Sequence, residues 1–147
     1  MASKRTTILG ALATRFGAVS GWTAVVRDAL DSVNAQKVIY LYDRDESART
    51  DAHVWYDCEL DVLGVIRVRA EDASGNVFDY VDDCLVELQQ VLHTAPTEYG
   101  VSGVMLVVQR GHQKQPPDER NMVGVEWRLR VDYRHDYKDP ETWTGAF

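Results

Sequence analysis

Two long segments of the chain alternate between apolar and polar residues. In residues 53–70 the even positions are apolar or small, and the odd positions include Asp57, Glu59, Asp61, Arg67 and Arg69. Residues 123–135 show the same period, with Val, Trp, Leu and Tyr at the odd positions and mostly charged residues between them. Successive side chains of a strand point to opposite faces, so this period predicts two strands, each with one buried face. We expect them in an antiparallel sheet with one solvated face.

The first of these strands is longer than a compact core requires. At about 3.3 Å per residue, residues 53–70 would extend over roughly 55 Å. We therefore expect this strand to project beyond the core, to bend near Gly64, or both.

Two other segments have the spacing of amphipathic helices. The first runs from a cap at Ser3 or Thr6 to about Val19, with apolar positions Ile8, Leu9, Leu12, Phe16 and Val19. The second follows a polar turn at residues 71–76, is capped by Asn76 or Asp79, and ends before Pro96. Its apolar stripe consists of Val77, Tyr80, Val81, Cys84, Leu85, Leu88, Val91 and Leu92.

Three shorter strands complete the predicted sheet, at residues 22–27, 37–42 and 103–110. The run KVIYLY at 37–42 lacks strict alternation, which suits a strand covered on both faces or one near a subunit contact. The polar residues 31–36 are predicted to be a connection. The element order predicts an α+β fold, an antiparallel sheet of about four to five strands with two helices packed on one face.

Two polar segments are predicted to be loops. Residues 43–51, DRDESARTD, are dominated by charged side chains, and residues 111–121 contain the consecutive Pro116 and Pro117. We expect residues 43–51 to form a solvated hairpin tip. Its deletion should leave the melting temperature nearly unchanged, whereas assembly should need it or a channel should be lined by it.

Length and composition narrow the class of protein. A chain of 147 residues is predicted to be a single domain, 1–147, with a C-terminal arm at about 136–147. It has 45% hydrophobic and 27% charged residues, and no apolar run approaches the roughly 20 residues of a membrane span. The net charge of −7 argues against general nucleic-acid binding, which relies on clustered Lys and Arg. The basic residues 1–7 lead into a mixed segment, so we predict no signal peptide and synthesis in a cytoplasm.

The two cysteines, Cys58 and Cys84, fall on apolar faces of a predicted strand and a predicted helix. We interpret them as buried free thiols, with a disulfide as the alternative. Two cysteines far apart in sequence do not make a zinc site.

No catalytic or metal site is predicted. His53 and Asp57 would lie about 13 Å apart along a strand. His112 has Asp118 and Glu119 nearby in sequence, but these could form a metal or acid/base site only if their loop folded back on itself. The chain has no GxSxG, HExxH or P-loop motif, and no cofactor is expected.

The charged residues of the two long strands admit two interpretations. If the strands are neighbours, Asp57, Glu59 and Asp61 could face Arg128, Arg130 and Arg134 across the sheet, each pair contributing about 0.2–1 kcal/mol; a subunit interface is the alternative.

Three aromatic residues follow the last strand with no element of their own to bury them: Tyr137, Trp143 and Phe147. We expect this arm to dock on an adjacent subunit or partner, the alternative being that it folds back over its own sheet.

The order of elements resembles the tail terminator (tail completion) proteins of long-tailed bacteriophages. The residues that carry the resemblance are the opening helix, the strand ending in VVRD (25–28), KVIYLYDRDE (37–46), the long alternating strand, the second helix and WRLRVDYRHD (127–136). The resemblance covers most of the chain and contains no catalytic signature. In the family the acidic turn often contains glycine, which is absent from DRDE here.

The resemblance implies a homo-oligomeric ring, expected to be a hexamer, at the junction of tail and neck in a virion. Such a ring sits on the last ring of the tail tube protein, stops further polymerisation, and presents its other face to a head-completion (neck) protein. Genomic DNA would pass through without specific binding, which the negative charge favours. Candidate interface residues are Asp43, Arg44, Asp45, Glu46, Arg49, Tyr137, Trp143 and Phe147.

Three other functions stay open at this point. The chain could be another neck or tail-tube component of a phage. It could be a small hydrolase or nuclease that uses His112, Asp118 and Glu119. It could also be an adaptor or binding module from outside phages.

Overall fold

A five-stranded mixed sheet carries two helices on one face in the computed structural model. The structure describes residues 4–51, 55–94 and 104–136, and within them the side chains of residues 5–47, 58–92 and 107–133. The elements are α1 (Lys4–Gly17), β1 (Trp22–Val26), β2 (Lys37–Asp51), β3 (Trp55–Arg69), a 3₁₀ turn (Ala70–Asp72), α2 (Val77–Thr94), β4 (Val104–Gln115) and β5 (Met122–Asp136). The order across the sheet is β1-β2-β3-β5-β4. The predicted α+β fold is confirmed, with one refinement: β2 to β5 are antiparallel neighbours, whereas β1 runs parallel to β2.

The main core lies between the sheet and the helices. The two long strands pair in register, with Val62 opposite Leu129 and Ile66 opposite Val125, and all four side chains are buried. Trp127 is fully buried and its ring centroid lies 5.6 Å from that of Phe16 in α1. The alternation therefore predicted the face that the helices cover.

Both helices match the sequence pattern. The apolar residues of α1 and the stripe of α2 are buried in, or packed against, the main core. Asn76 caps α2, since its Oδ1 accepts hydrogen bonds from the backbone N–H groups of Phe78 and Asp79 at 2.9 and 3.2 Å. None of the described helices is long and apolar enough to cross a membrane.

Neither cysteine forms a disulfide, and both are buried in this same core. This confirms the interpretation of Cys58 and Cys84 as thiols and excludes the disulfide. Burial raises the pKa of the Cys84 thiol, which keeps it protonated and poorly nucleophilic.

The opposite face of the sheet, called the outer face below, is only partly solvated. A second, smaller core forms there from Val38, Tyr40, Leu63 and Val65. Because β1 and β2 are parallel, the chain must cross over between them, and residues 27–36 do so on this face, with Val33 and Ala35 packed on the small core. The KVIYLY run is thus covered on both faces, as its lack of alternation predicted.

Arg67 is the one charged residue buried among the described side chains, and it fastens two loops to the outer face. Its Nε and Nη2 donate to the two carboxylate oxygens of Asp31 in the crossover, both at 3.0 Å, and Nη2 also donates to Asp118 at 2.5 Å. The residue opposite Arg67 on β5 is Gly124, where an added Cβ would lie 3.2 Å from Arg67 Nη1. The glycine therefore leaves room for the guanidinium.

One predicted loop is wrong, and the other is shorter than predicted. Residues 43–51 are not a solvated tip but the second half of β2, paired with β3 as far as Asp51 opposite Trp55. Residues 111–115 likewise continue β4, so only residues 116–121 connect it to β5. Strand pairing uses backbone groups and needs no apolar side chain, which is why polar segments can extend a sheet beyond its core. Deletion of residues 43–51 would remove the partner of half of β3, so the expected unchanged melting temperature is also withdrawn.

Candidate interaction surface

A β-bulge in β2 arranges the first four candidate interface residues. Asp43 lies opposite Val62 and Glu46 opposite Leu60, so Arg44 and Asp45 together face a single residue of β3, Asp61. One extra residue shifts the alternation of a strand. Asp43 and Glu46 consequently share the helix side, and Arg44 and Asp45 are both exposed on the outer face.

Asp43 and Glu46 are bound within the chain. Arg27 donates from Nε to Asp43 Oδ1 at 2.8 Å and from Nη1 to the Thr6 hydroxyl at 2.8 Å. Arg5 Nη1 donates to Glu46 Oε1 at 3.0 Å, and the Tyr133 hydroxyl donates to the other oxygen of Glu46. The hydrogen bond from Arg27 lowers the pKa of Asp43, whereas burial and the bond to Glu46 raise the pKa of Tyr133. These contacts fasten the start of α1 to the bulge, so both carboxylates act as internal supports.

The exposed pair belongs to the rim of a groove of about 360 Å³. Its lining residues are Arg44, Asp45, Asp61, Val62, Leu63, Arg110, Glu126, Arg128 and Leu129. A second bulge forms the opposite rim: Gln109 faces Leu129 and Gly111 faces Arg128, which leaves Arg110 as the extra residue of β4. Gly111 has φ +122°, a conformation that only glycine adopts without strain. The two bulges thus place arginines on both sides of the central strands.

Three arginines and three carboxylates line the groove, but only one ion pair forms among these described side chains. Arg110 Nη1 lies 3.5 Å from Asp61 Oδ1, and Glu126 accepts a long hydrogen bond of 3.4 Å from Gln115. Arg44, Arg128 and Asp45 have no ion pair or hydrogen bond with the side chains that the structure describes. The groove therefore presents two guanidinium groups, Arg44 and Arg128, and two carboxylates, Asp45 and Glu126, whose charges no described side chain neutralises.

Four predicted interface residues lie wholly or partly outside the described part of the chain. Arg49 is on β2 opposite Asp57, but its side chain is not among those described. Tyr137, Trp143 and Phe147 lie outside the described residues altogether. The residue that sequence reasoning missed is Arg110. The signal for it was Gly111, which interrupts a polar strand and is typical of a bulge.

The predicted charge ladder is only partly in register and does not pair as expected. The long strands are neighbours, with Asp57 opposite Arg134 and Asp61 opposite Arg130, but Glu59 lies opposite another acid, Asp132. Arg130 nevertheless donates from Nε to Asp132 Oδ1 on its own strand at 3.0 Å, while Asp61 pairs with Arg110. The facing charges of Asp61 and Arg130 therefore do not pair with each other across the two strands.

The histidine set considered for catalysis is not assembled. His112 is an exposed residue of β4, opposite Trp127 in register. The Asp118 carboxylate is engaged by Arg67 and by the backbone N–H groups of Arg120 and Met122, and these bonds hold its pKa at about 2. Within the described residues, no group of three His, Cys, Asp or Glu side chains could hold a metal ion.

Comparison with known proteins gives a likeness of fold. No family model matches the sequence, and no curated protein matches it either. Among solved structures, the fold is similar to that of a chain from the virion of a native gene transfer agent particle, with a TM-score of 0.54 and 11% sequence identity. The match covers 90% of this chain and 96% of the other. At this identity the likeness establishes a shared fold.

Proposed function

We propose that this chain is a structural protein of a phage-like virion, and more narrowly a tail terminator. In this role, copies of the chain form a ring, expected to be hexameric, that caps the tail tube and ends its polymerisation. The observation that carries the proposal is the likeness to a chain of a gene transfer agent virion, which spans 96% of that chain. The likeness therefore concerns a whole architecture rather than one motif.

The order of elements supports the narrower role. The tail terminator resemblance requires an opening helix, two strands, a long strand, a helix and two more strands. The observed elements from α1 to β5 follow that order. The WRLRVDYRHD segment falls on β5 and KVIYLYDRDE on β2, two of the long strands of the sheet.

A capping ring works through surfaces rather than through an active site. One face of the ring would bind the last ring of tail tube protein, and the other would bind a head-completion protein. DNA would pass through the middle. The net charge of −7 supports such a passage, because a like-charged wall does not hold phosphates.

The oligomeric state is the first test. Native mass spectrometry of the purified chain over a range of concentrations should show a species of six times the 16.6 kDa protomer mass. Because a terminator can stay monomeric until it meets the tube, the same measurement is made after adding tail tube protein from the same particle. A stable dimer in both conditions would contradict the ring.

Tube length is the test of function. Tail tube protein is allowed to polymerise with and without the chain, and tube lengths are measured by electron microscopy. A terminator should shorten the tubes and appear only at their ends. Incorporation along the tube would instead identify a tube component, and binding only to isolated neck complexes would identify a neck component.

A further inference from the structure

We propose that copies of this chain join edge to edge, so that β4 of one copy pairs with β1 of the next. Phe78 and Val86 of α2, called the apolar pair below, would pack against α1 of that next copy. β1 and β4 are the two edge strands of the sheet, so every copy has one surface of each kind. The inference rests on the association of copies in the proposed function, and it names the surfaces that would join them.

The outer edge of β1 has backbone groups without a partner in the described part of the chain. The Arg27 N–H donates to the Leu41 carbonyl on β2 at 2.9 Å, so every second residue before Arg27 also directs its backbone groups to β2. Ala24 and Val26 therefore direct theirs away from the sheet, where no described hydrogen bond satisfies them. The strand reads WTAVV, without the charge or proline that usually keeps an edge from pairing. β1 is thus open to a further strand.

The flank of α2 above β4 carries exposed apolar side chains. Asp82 Oδ1 lies 2.6 Å from Lys114 Nζ of β4, and Gln89 also donates a hydrogen bond to a β4 side chain, at 2.8 Å. Phe78 and Val86 lie four residues before and after Asp82, so they share this flank. Their exposed fractions are 40% and 46%, and they are two of the three exposed large hydrophobic residues among the described side chains. Since β4 pairs only with β5 among the described strands, its other edge is open beside this apolar pair.

The direction of the strands decides how a second copy fits. From β4 to β2 each neighbour is antiparallel, and β1 is parallel to β2, so β1 and β4 run in opposite directions. A second copy in the same orientation, with its helices on the same face, places its β1 antiparallel to β4 of the first. This step leaves a free β1 at one end and a free β4 at the other, so it repeats and can close into a ring. Pairing of two like edges would instead use a twofold axis and stop at two copies.

Charge favours β1 over a second β4 as the partner. Two paired β4 edges would bring two copies of α2 side by side, and α2 carries four acids and no Lys or Arg. Pairing with β1 brings α2 beside α1, which carries three basic residues and no acid. Like charges across a contact disfavour a pairing and opposite charges favour it. The two edges of the sheet are therefore complementary to each other rather than to themselves.

The flank of α1 above β1 has room for the apolar pair. Thr6 accepts a hydrogen bond from Arg27 at the end of β1, at 2.8 Å, and a Cβ added at Gly17 would lie 3.8 Å from the Cβ of Ala24 on β1. Both contacts identify the flank of α1 that lies over this edge. Gly10, four residues after Thr6, shares the flank, and nothing lies within 4 Å of a Cβ added there. The apolar pair of another copy can therefore approach the α1 backbone closely.

Two variants of the full chain, each damaging one of the two surfaces, test the contact. The α2 variant is Phe78→Lys with Val86→Lys. The β1 variant is Ala24→Pro, which removes an N–H that points away from β2, and an edge strand tolerates proline at such a position. Native mass spectrometry should find each variant monomeric alone, whereas their equimolar mixture should give a heterodimer and nothing larger, because one intact β4 surface meets one intact β1 surface. Leu30→Lys, at the third exposed hydrophobic position, is the matched control and should assemble as the wild type does.

Other results would overturn the proposal. Wild-type assembly by either variant alone would show that the edges are not used. A homodimer of the α2 variant would show that β1 pairs with β1, and a homodimer of the β1 variant would show that β4 pairs with β4. Failure of the mixture to form the heterodimer, with native circular dichroism for both variants, would show that the two surfaces do not meet. If Ala24→Pro is unfolded, Gly10→Trp replaces it, since a large side chain there blocks the flank of α1.

A cross-link reads the same contact without a ring or tail tube protein, so that its failure can be told apart from failure of the proposed function. Chains with Gly10→Cys and with Val86→Cys are mixed and oxidised, while the buried native cysteines stay unreacted. A disulfide-linked heterodimer should form in several times the yield of a control mixture of Gly10→Cys with Leu30→Cys. A heterodimer from a chain that never caps tail tubes would keep the contact and reject the terminator role. Equal yields from the two mixtures would overturn the inference.

Discussion

The two faces of the sheet differ in what holds them and in what they offer to a partner. The helix-covered face is a continuous apolar layer from α1 to β5. The outer face has a small apolar core of four buried residues, a buried arginine and a groove with unpaired charges. Trp127 and Arg128, consecutive on β5, belong to opposite faces. Stability therefore resides mainly on one face, and the charged groove on the other.

The largest effect is expected from removing the indole at the centre of the helix-covered face. Trp127→Ala would leave a cavity beside Phe16 and remove the donor that binds Gln109 Oε1 at 3.3 Å, so we expect a loss of about 3–5 kcal/mol in unfolding free energy. Arg128→Ala is the matched control from the other face and should change stability by less than about 0.5 kcal/mol. Urea denaturation measures both. Similar losses for the two variants would mean that the faces do not differ as described.

The second effect concerns the buried charge of the outer face. Arg67→Ala would leave the partly exposed carboxylates of Asp31 and Asp118 without their shared cation and weaken the attachment of the crossover to the sheet, at a cost of about 2 kcal/mol. Arg69, two residues along the same face, donates to Asn34 in the same crossover but is more exposed, so Arg69→Ala should cost less. Chemical denaturation of both gives the comparison. An Arg67→Ala protein as stable as Arg69→Ala would show that the buried pair contributes nothing net.

The helix-covered face was predictable from the sequence because burial leaves a periodic pattern. The even positions of β3, the odd positions of β5 and the stripe of α2 each matched one period, and all three were correctly assigned. The outer face leaves no such pattern. Its small core depends on Leu63 and Val65, two apolar residues among polar odd positions, which are buried only because residues 27–36 cross over them.

The groove could not be predicted because bulges create it. Pairing through the backbone lets the charged residues 43–51 continue β2, and a single extra residue turns both Arg44 and Asp45 outwards. No periodicity in one sequence reports where a strand takes up an extra residue. Only Gly111, beside Arg110, marked one of the two bulges in advance.

A one-residue deletion should be tolerated in the bulge of β2 but not in a regular part of the sheet. Removing Asp45 would restore regular alternation in β2 while keeping Asp43 and Glu46 on the helix side, so we expect a loss of less than about 1 kcal/mol. Removing Glu59, an exposed acid in the regular part of β3, would instead exchange the buried and exposed faces of the strand on one side of the deletion. This should prevent folding. Thermal melts followed by circular dichroism distinguish the two. An Asp45 deletion as damaging as the Glu59 deletion would refute the role assigned to the bulge.

The smallest effect is a pH-dependent one, at the loop that Arg67 holds. The bond from Arg67 keeps the pKa of Asp118 at about 2, below the roughly 3.9 of an unfolded aspartate, so the carboxylate stabilises the folded chain above about pH 4. This contribution falls as the pH drops from about 4 towards 2, where the folded state also becomes protonated. Asp118→Asn should therefore melt at a lower temperature than the wild type at pH 7, and the two melting curves should converge near pH 2. A difference in melting temperature that stays constant from pH 7 to pH 2 would show that the charge of Asp118 does not stabilise this face. The hydrogen bonds that its side chain accepts from the backbone N–H groups of Arg120 and Met122 would then account for the difference.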